Sequence, residues 1–185
     1  MKRSTWIVLV LFLALVGLTL FLNKKEPPTA TADLTPTVPV EYLFNEAAGL
    51  PTSIDIKSKT GEQVTVERNN AGQWVLKQPV EAEADQGSAE AAATQLTALR
   101  VLSKPQVAPA DAGLDQPSYV MTVKLTGGTV EMVRIGDVTP TSSGYYANHN
   151  DGGEVLVVDK TGLDALLNLV TSPPYASTPT PIATP

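Results

Sequence analysis

Residues 6–22 read WIVLVLFLALVGLTLFL, seventeen residues without a charge, with Lys2 and Arg3 before them and Lys24 and Lys25 after. No other stretch constrains the chain as much. At about 1.5 Å rise per residue a helix of that length covers roughly 25 Å, the short end of what crosses a hydrocarbon core. Trp6 and Phe21 stand near its ends, where aromatic rings prefer the lipid–water boundary, and Leu11, Phe12, Leu15 and Leu22 supply apolar bulk. The expectation is an N-terminal transmembrane helix, a single-pass anchor within residues 1–25. A secretory signal has a shorter apolar core and a small-x-small cleavage site directly after it. Here Ala30-Thr31-Ala32 lies well beyond the run, behind two lysines and Pro27-Pro28, so the anchor is expected to stay uncleaved. The flanking charges balance, and the N-terminal amine tips the short head inward. That places the C-terminal domain outside the cytoplasm, at the cell membrane.

All 19 acidic residues follow Lys25, whereas 4 of the 13 basic ones lie at or before it. So acidic a body offers no basic patch for phosphate, which argues against nucleic acid as a partner. The absence of cysteine removes disulfides, thiolate nucleophiles and Cys-based metal sites together. A single histidine, His149, excludes any site that needs two imidazoles from one chain.

Residues 26–40 (EPPTATADLTPTVPV) and 172–185 (SPPYASTPTPIATP) are rich in proline, threonine and alanine. They read as a linker and a disordered tail, because proline blocks helix and sheet ladders and favours extended chain. Between them, residues 41–171 read as an α+β domain. Ile54/Ile56 and Val64/Val66 alternate with polar residues on either side of Thr60-Gly61, the pattern of a hairpin. Trp74 and Leu76 share a strand face. Asp85 then caps a helix predicted to run to about Leu102, with Ala89, Ala92, Ala93, Leu96, Leu99 and Leu102 in one stripe. A similar order follows: strands over residues 119–125, 130–135 and 144–147, a run apolar on both faces at 155–158 that reads as a central, buried strand, and a helix opened by a Thr161-to-Asp164 capping box. The fold class expected is therefore α+β, antiparallel hairpins with packed helices in two repeated β-β-β-α units, behind the transmembrane helix.

Three blocks carry a resemblance. They are Gln73-Trp74-Val75-Leu76-Lys77-Gln78-Pro79 followed by Ala84-Asp85, then Ala112-Gly113-Leu114-Asp115-Gln116-Pro117, then Ile135-Gly136 with Gly144-Tyr145-Tyr146-Ala147. In this order, over roughly residues 53–170, the chain resembles the bacterial domain-of-unknown-function family 4340. Ala112 stands where that family more often has an aromatic residue. The resemblance brings no catalytic residues. It implies an accessory protein beside ABC-type transport or gliding-motility-type systems, hence envelope or transporter proteins as partners.

Candidate chemistry is sparse. The cluster Asn148-His149-Asn150-Asp151-Gly152-Gly153-Glu154 fails the EF-hand spacing in every register and reads as a hairpin loop rather than a calcium site. No nucleophile motif serves His149 as a general base. Tyr145 and Tyr146 face opposite ways on a strand, so one is expected to be exposed as an interaction contact, with His149 nearby. The reading from sequence is a non-enzymatic, membrane-anchored accessory protein without cofactor or metal. The alternatives are a module binding cell-wall glycan or a small ligand, and a hydrolase centred on His149.

Overall fold

Alternating apolar residues make the strands, and the order in which they pair makes the domain. The structure, a computed structural model, describes residues 40–177. Ten strands form one sheet: β1 (Glu41–Tyr42), β2 (Pro51–Ser58), β3 (Gln63–Arg68), β4 (Trp74–Gln78), β5 (Ala82–Glu83), β6 (Arg100–Ser103), β7 (Tyr119–Leu125), β8 (Val130–Val138), β9 (Gly144–His149) and β10 (Leu156–Asp159). Two helices of twelve residues accompany them, α1 (Gln86–Thr97) and α2 (Lys160–Thr171). The order across the sheet is β1-β6-β10-β9-β8-β7-β2-β3-β4-β5, antiparallel throughout.

That order has a two-fold character. β2 and β7 lie side by side at the centre, with Ile54 opposite Val123 and Ile56 opposite Met121. Outward from each runs a four-strand meander, β2-β3-β4-β5 and β7-β8-β9-β10, and each meander ends in a helix. The chain leaving each helix crosses to the other repeat. After α1, β6 pairs with β10. After α2, Tyr175 bridges Ala84, the Ala176 N–H donates to the Glu83 carbonyl at 3.0 Å, and the Asp85 N–H donates to the Pro174 carbonyl at 2.8 Å. Each repeat thus covers an edge that the other would leave open to aggregation.

One face of the sheet carries the core. Ile54, Ile56, Val64, Val66, Trp74 and Leu76 from the first repeat, and Met121, Val123, Val133, Ile135 and Ala147 from the second, lie buried under the helices. Each fully buried large side chain contributes on the order of 1.5–3 kcal/mol. The small residues Ala89, Ala92 and Ala93 let α1 lie close to the strands, and Leu163, Leu166 and Leu167 do the same work for α2 with bulk. The helices touch at Gly162, where a Cβ would come within 2.6 Å of Gln95 Nε2 and 3.0 Å of Leu99 Cδ2.

On the opposite face, a segment over residues 104–118 covers part of the second repeat. Ala112 and Leu114 bury against Val155, with Val107 and Tyr146 packed around them. Gly136 permits this approach, since a Cβ there would lie 2.1 Å from the Ala112 carbonyl oxygen. The neighbouring Asp137 N–H donates to that same oxygen at 3.0 Å.

Several expectations are corrected. The repeating unit has four strands before its helix rather than three: Ala82–Glu83 joins the sheet in the first repeat, and the buried strand expected at 155–158 is the fourth of the second. α1 stops at Thr97 instead of Leu102: Leu102 fits the helical stripe by spacing, but Arg100–Ser103 pairs with β10 and leaves Leu102 exposed. The cap of α2 is Asp159, whose carboxylate accepts from the Gly162 N–H at 3.1 Å, and Thr161 plays no such part.

The transmembrane part of the fold class is corrected as well. Among the described residues, no helix is long and apolar enough to cross a membrane. The run carrying Trp6, Leu11, Phe12, Leu15, Phe21 and Leu22 lies outside the described residues. The single-pass anchor, the membrane as partner and the location that followed from it therefore gain no support from the fold. Of the linker expected over residues 26–40 and the disordered tail expected over 172–185, residues 26–39 and 178–185 lie outside the described residues too, whereas residues 174–176 pair with the edge of the first repeat.

Candidate functional site

β9 sends alternate side chains to opposite faces, so its three candidate residues reach three different surroundings. Tyr145, Ala147 and His149 point to the helix side, whereas Tyr146 and Asn148 point to the other. The structure does not gather Tyr145, Tyr146 and His149 into one site.

Tyr145 forms part of a groove beneath α2. Its hydroxyl donates to Asp164 Oδ1 at 2.6 Å, and Lys160 pairs with the other oxygen, Asp164 Oδ2. The Lys160 ammonium also stands 5.3 Å from the centre of the Tyr145 ring. Lys160 and Asp164 are four residues apart and share one helix face, which brings both to the same ring. Burial raises the Tyr145 phenol above its ordinary value, and the hydrogen bond to Asp164 and its negative charge push the same way. Burial also opposes ionisation of Asp164. Hydrogen bonds from Lys160 and Tyr145, with the Lys160 charge, outweigh it and hold that carboxyl below its usual range. Tyr145 is thus a neutral phenol held in one orientation by an ionised carboxylate.

The groove has a volume of about 510 Å³ and is bounded by Tyr119, Tyr145, Asp164, Ala165, Leu167, Asn168 and Thr171. Two rings and two aliphatic side chains form its apolar part. Asn168 Oδ1 accepts from the Thr171 hydroxyl at 3.0 Å, which leaves the amide nitrogen of Asn168 free to donate. Among the described residues, neither that nitrogen nor the Tyr119 hydroxyl has a hydrogen-bond partner. Sequence reasoning assigned Tyr119 to a strand face and Asp164 to a cap, and it missed Asn168 and Thr171. The spacing of residues 164, 168 and 171 along one helix face was the available signal.

His149 sits elsewhere. Its Nε2 lies 2.9 Å from Oε2 of the buried Glu131, and its ring meets Phe44 edge-on at 5.6 Å. The ring contact fastens the chain after β1 to the end of β9, and the Glu131 pair ties that end to the start of β8. Tyr146 packs into the small cluster with Ala112, Leu114 and Val155.

A second, polar cavity of about 630 Å³ opens on the outer face between Pro109, Leu114, Asp115, Pro117, Arg134, Asn148 and the 151–153 loop. Arg134 pairs with Asp151 at 2.6 Å. Asn148 is buried and donates to the Gly152 and Glu154 carbonyls, and its Oδ1 has no partner. Among the described residues no three His, Cys, Asp or Glu side chains stand close enough to hold a metal ion.

Residues 74–172 match the family described as Domain of unknown function (DUF4340), and the chain belongs to that family. No curated protein and no solved structure matches it. Every residue that lines the tyrosine groove falls within the matched span.

Proposed function

We propose that this DUF4340 domain is a non-catalytic accessory domain that works by binding, and that the groove under α2 is its binding surface. The observation that supports the reading is Tyr145. An aromatic ring held by Asp164 and Lys160 loses little conformational freedom when a partner arrives, and it presents an apolar body beside polar groups. Next to it, the unpartnered Tyr119 hydroxyl and Asn168 amide nitrogen give a partner directional contacts that fix its register. His149 does not compete for the role, because its ring nitrogen is engaged by Glu131 in a structural pair away from this groove.

Photocrosslinking tests the proposal. A photoreactive residue placed at Ala165, on the groove wall, should give a discrete covalent adduct in cells. The same residue at Lys57, on the opposite sheet face, should not. Equal labelling at both positions, or none at Ala165, would remove the groove as the binding surface.

A second reading, a module binding cell-wall glycan, draws on the partnerless Asn148 Oδ1 beside the polar cavity. Its mark would be an Asn148→Leu variant that folds normally and loses retention on isolated cell wall.

A further inference from the structure

The groove beneath α2 offers donors and acceptors side by side. Asp164 accepts from Tyr145 and Lys160, yet its carboxylate is half-exposed and keeps acceptor sites to spare. Asn168 Oδ1 accepts from Thr171 and retains a second lone pair. Among the described residues, the Asn168 amide nitrogen and the Tyr119 hydroxyl have no partner. Asp164, Asn168 and Thr171 follow one another about one helical turn apart, so they form a short polar row beside the two tyrosines. Lys160 matches the charge of Asp164, and no other charged side chain borders the groove.

Peptide recognition makes other demands. A peptide that adds to a sheet needs an open strand edge, and β7 and β9 are each paired on both sides. An amphipathic helix needs an apolar trough, whereas Ala165 and Leu167 are the only aliphatic side chains that border this groove. A phosphorylated or acidic motif needs a cluster of arginines, and none borders it.

A sugar ring suits what is present. Each hydroxyl both donates and accepts, so neighbouring hydroxyls on a rigid ring can bond a carboxylate and an amide together. The C–H groups of the same ring give an apolar surface for tyrosine, which presents an apolar body behind a polar tip. Tyr145 is already fixed by Asp164 and Lys160, so little further ordering is needed when the ligand arrives. Resting on the binding role given to the groove above, we propose that its ligand is an uncharged saccharide, held by Asp164 and Asn168 beside Tyr119 and Tyr145.

Titration of the full chain with neutral tetrasaccharides built from glucose, mannose, galactose or N-acetylglucosamine tests this, followed through the backbone amide resonances. At least one should bind saturably, with the largest shifts at Tyr119, Ala165 and Asn168. Tyr119→Phe together with Asn168→Ala removes both free donors and should weaken that binding by about tenfold, the combined effect of two ordinary hydrogen bonds. Lys57→Ala, on the opposite sheet face, should leave it unchanged. No saturable binding by any of the four overturns the inference. So does binding that the double variant leaves intact and Asn148→Leu abolishes, since that moves the sugar to the outer cavity. Saturable binding of an oligoproline peptide in place of the sugars gives the groove to a peptide and overturns it as well. A discrete adduct at Ala165 to a protein, with no sugar binding, would sink this inference and leave the binding role of the groove standing.

Discussion

In the first repeat the residue that opens the third strand is Trp74, and in the second its counterpart is Tyr145. Both stand at the end of a strand pairing, Trp74 opposite Arg68 and Tyr145 opposite Val138. Both donate to a carboxylate five residues beyond the N-cap of the following helix: Trp74 Nε1 to Glu90 Oε2 at 2.8 Å, and the Tyr145 hydroxyl to Asp164 Oδ1 at 2.6 Å. Each ring also has a cation over it that pairs with that same carboxylate, Arg68 at 4.3 Å and Lys160 at 5.3 Å. The brace of aromatic, carboxylate and cation is therefore a feature of the fold, present once per repeat. What differs is the space around it. Trp74 is 1% exposed, and Gln86 closes over its backbone with bonds to both its N–H and its carbonyl. Tyr145 stays partly exposed, with Tyr119 and the wall of α2 across a groove. A polar brace alone is thus poor support for a binding role. A cavity alone does not separate the repeats either, since one of about 460 Å³ borders Trp74; the ring left partly exposed, with donors beside it, is what sets the second repeat apart.

The largest effect should come from removing the two rings. Trp74→Ala should destabilise the domain by about 3–5 kcal/mol, the usual loss for a large aromatic in a core. Tyr145→Ala should cost about 1–2 kcal/mol, in the common range for point substitutions. Urea unfolding of both variants measures this, and equal losses would mean that Tyr145 is as much a core residue as Trp74.

A smaller effect should sharpen the contrast between the outer faces. Gly136→Ala places a methyl group against the Ala112 carbonyl and should destabilise by about 1–3 kcal/mol. Glu67→Ala, on the outer face of β3 outside the part of the sheet that residues 104–118 cover, should stay within about 0.5 kcal/mol. If both are silent, the segment over residues 104–118 does not pack as described.

The smallest effect concerns pH. Hydrogen bonding and the adjacent cations hold the Asp164 and Glu90 carboxyls low in the fold, so their contributions are complete at neutral pH. They should fade only as pH falls below the ordinary carboxylate range and through the lowered values. Both carboxylates are largely exposed, so Asp164→Asn and Glu90→Gln should each cost no more than about 1 kcal/mol at pH 7. Tyr145 has the opposite sign. Its phenol is raised, so the stability tied to its neutral form is present below the ordinary value of 10.0 and is lost as pH rises through the raised one. Phenolate absorbance should show one tyrosine titrating late, and Asp164→Asn should move it part of the way back.

Much of this fold is legible in the chain itself. The alternation at Ile54/Ile56, Val64/Val66 and Met121/Val123, the cap at Asp85 and the stripes of both helices follow from period and composition, because burial on one face demands them. The order of the Trp74, Gly-Leu and Tyr-Tyr blocks points to the family that residues 74–172 match. Short elements escape the same reasoning. Two-residue strands such as Ala82–Glu83 have no period to detect, and Leu102 satisfied a helical spacing that pairing with β10 overrode.

The candidate site divides along the same line. Sequence alone marked Tyr145, Tyr146 and His149 as contacts worth testing, and put the two tyrosines on opposite faces without choosing between them. Only the folded chain decided that Tyr146 packs under residues 104–118, that His149 is tied to Glu131, and that Tyr119 from β7 and Asn168 from α2 share a groove with Tyr145. Periodicity says which face a side chain takes. Which distant side chains share that space depends on how the two meanders meet at β2 and β7, and no local pattern along the chain carries that information.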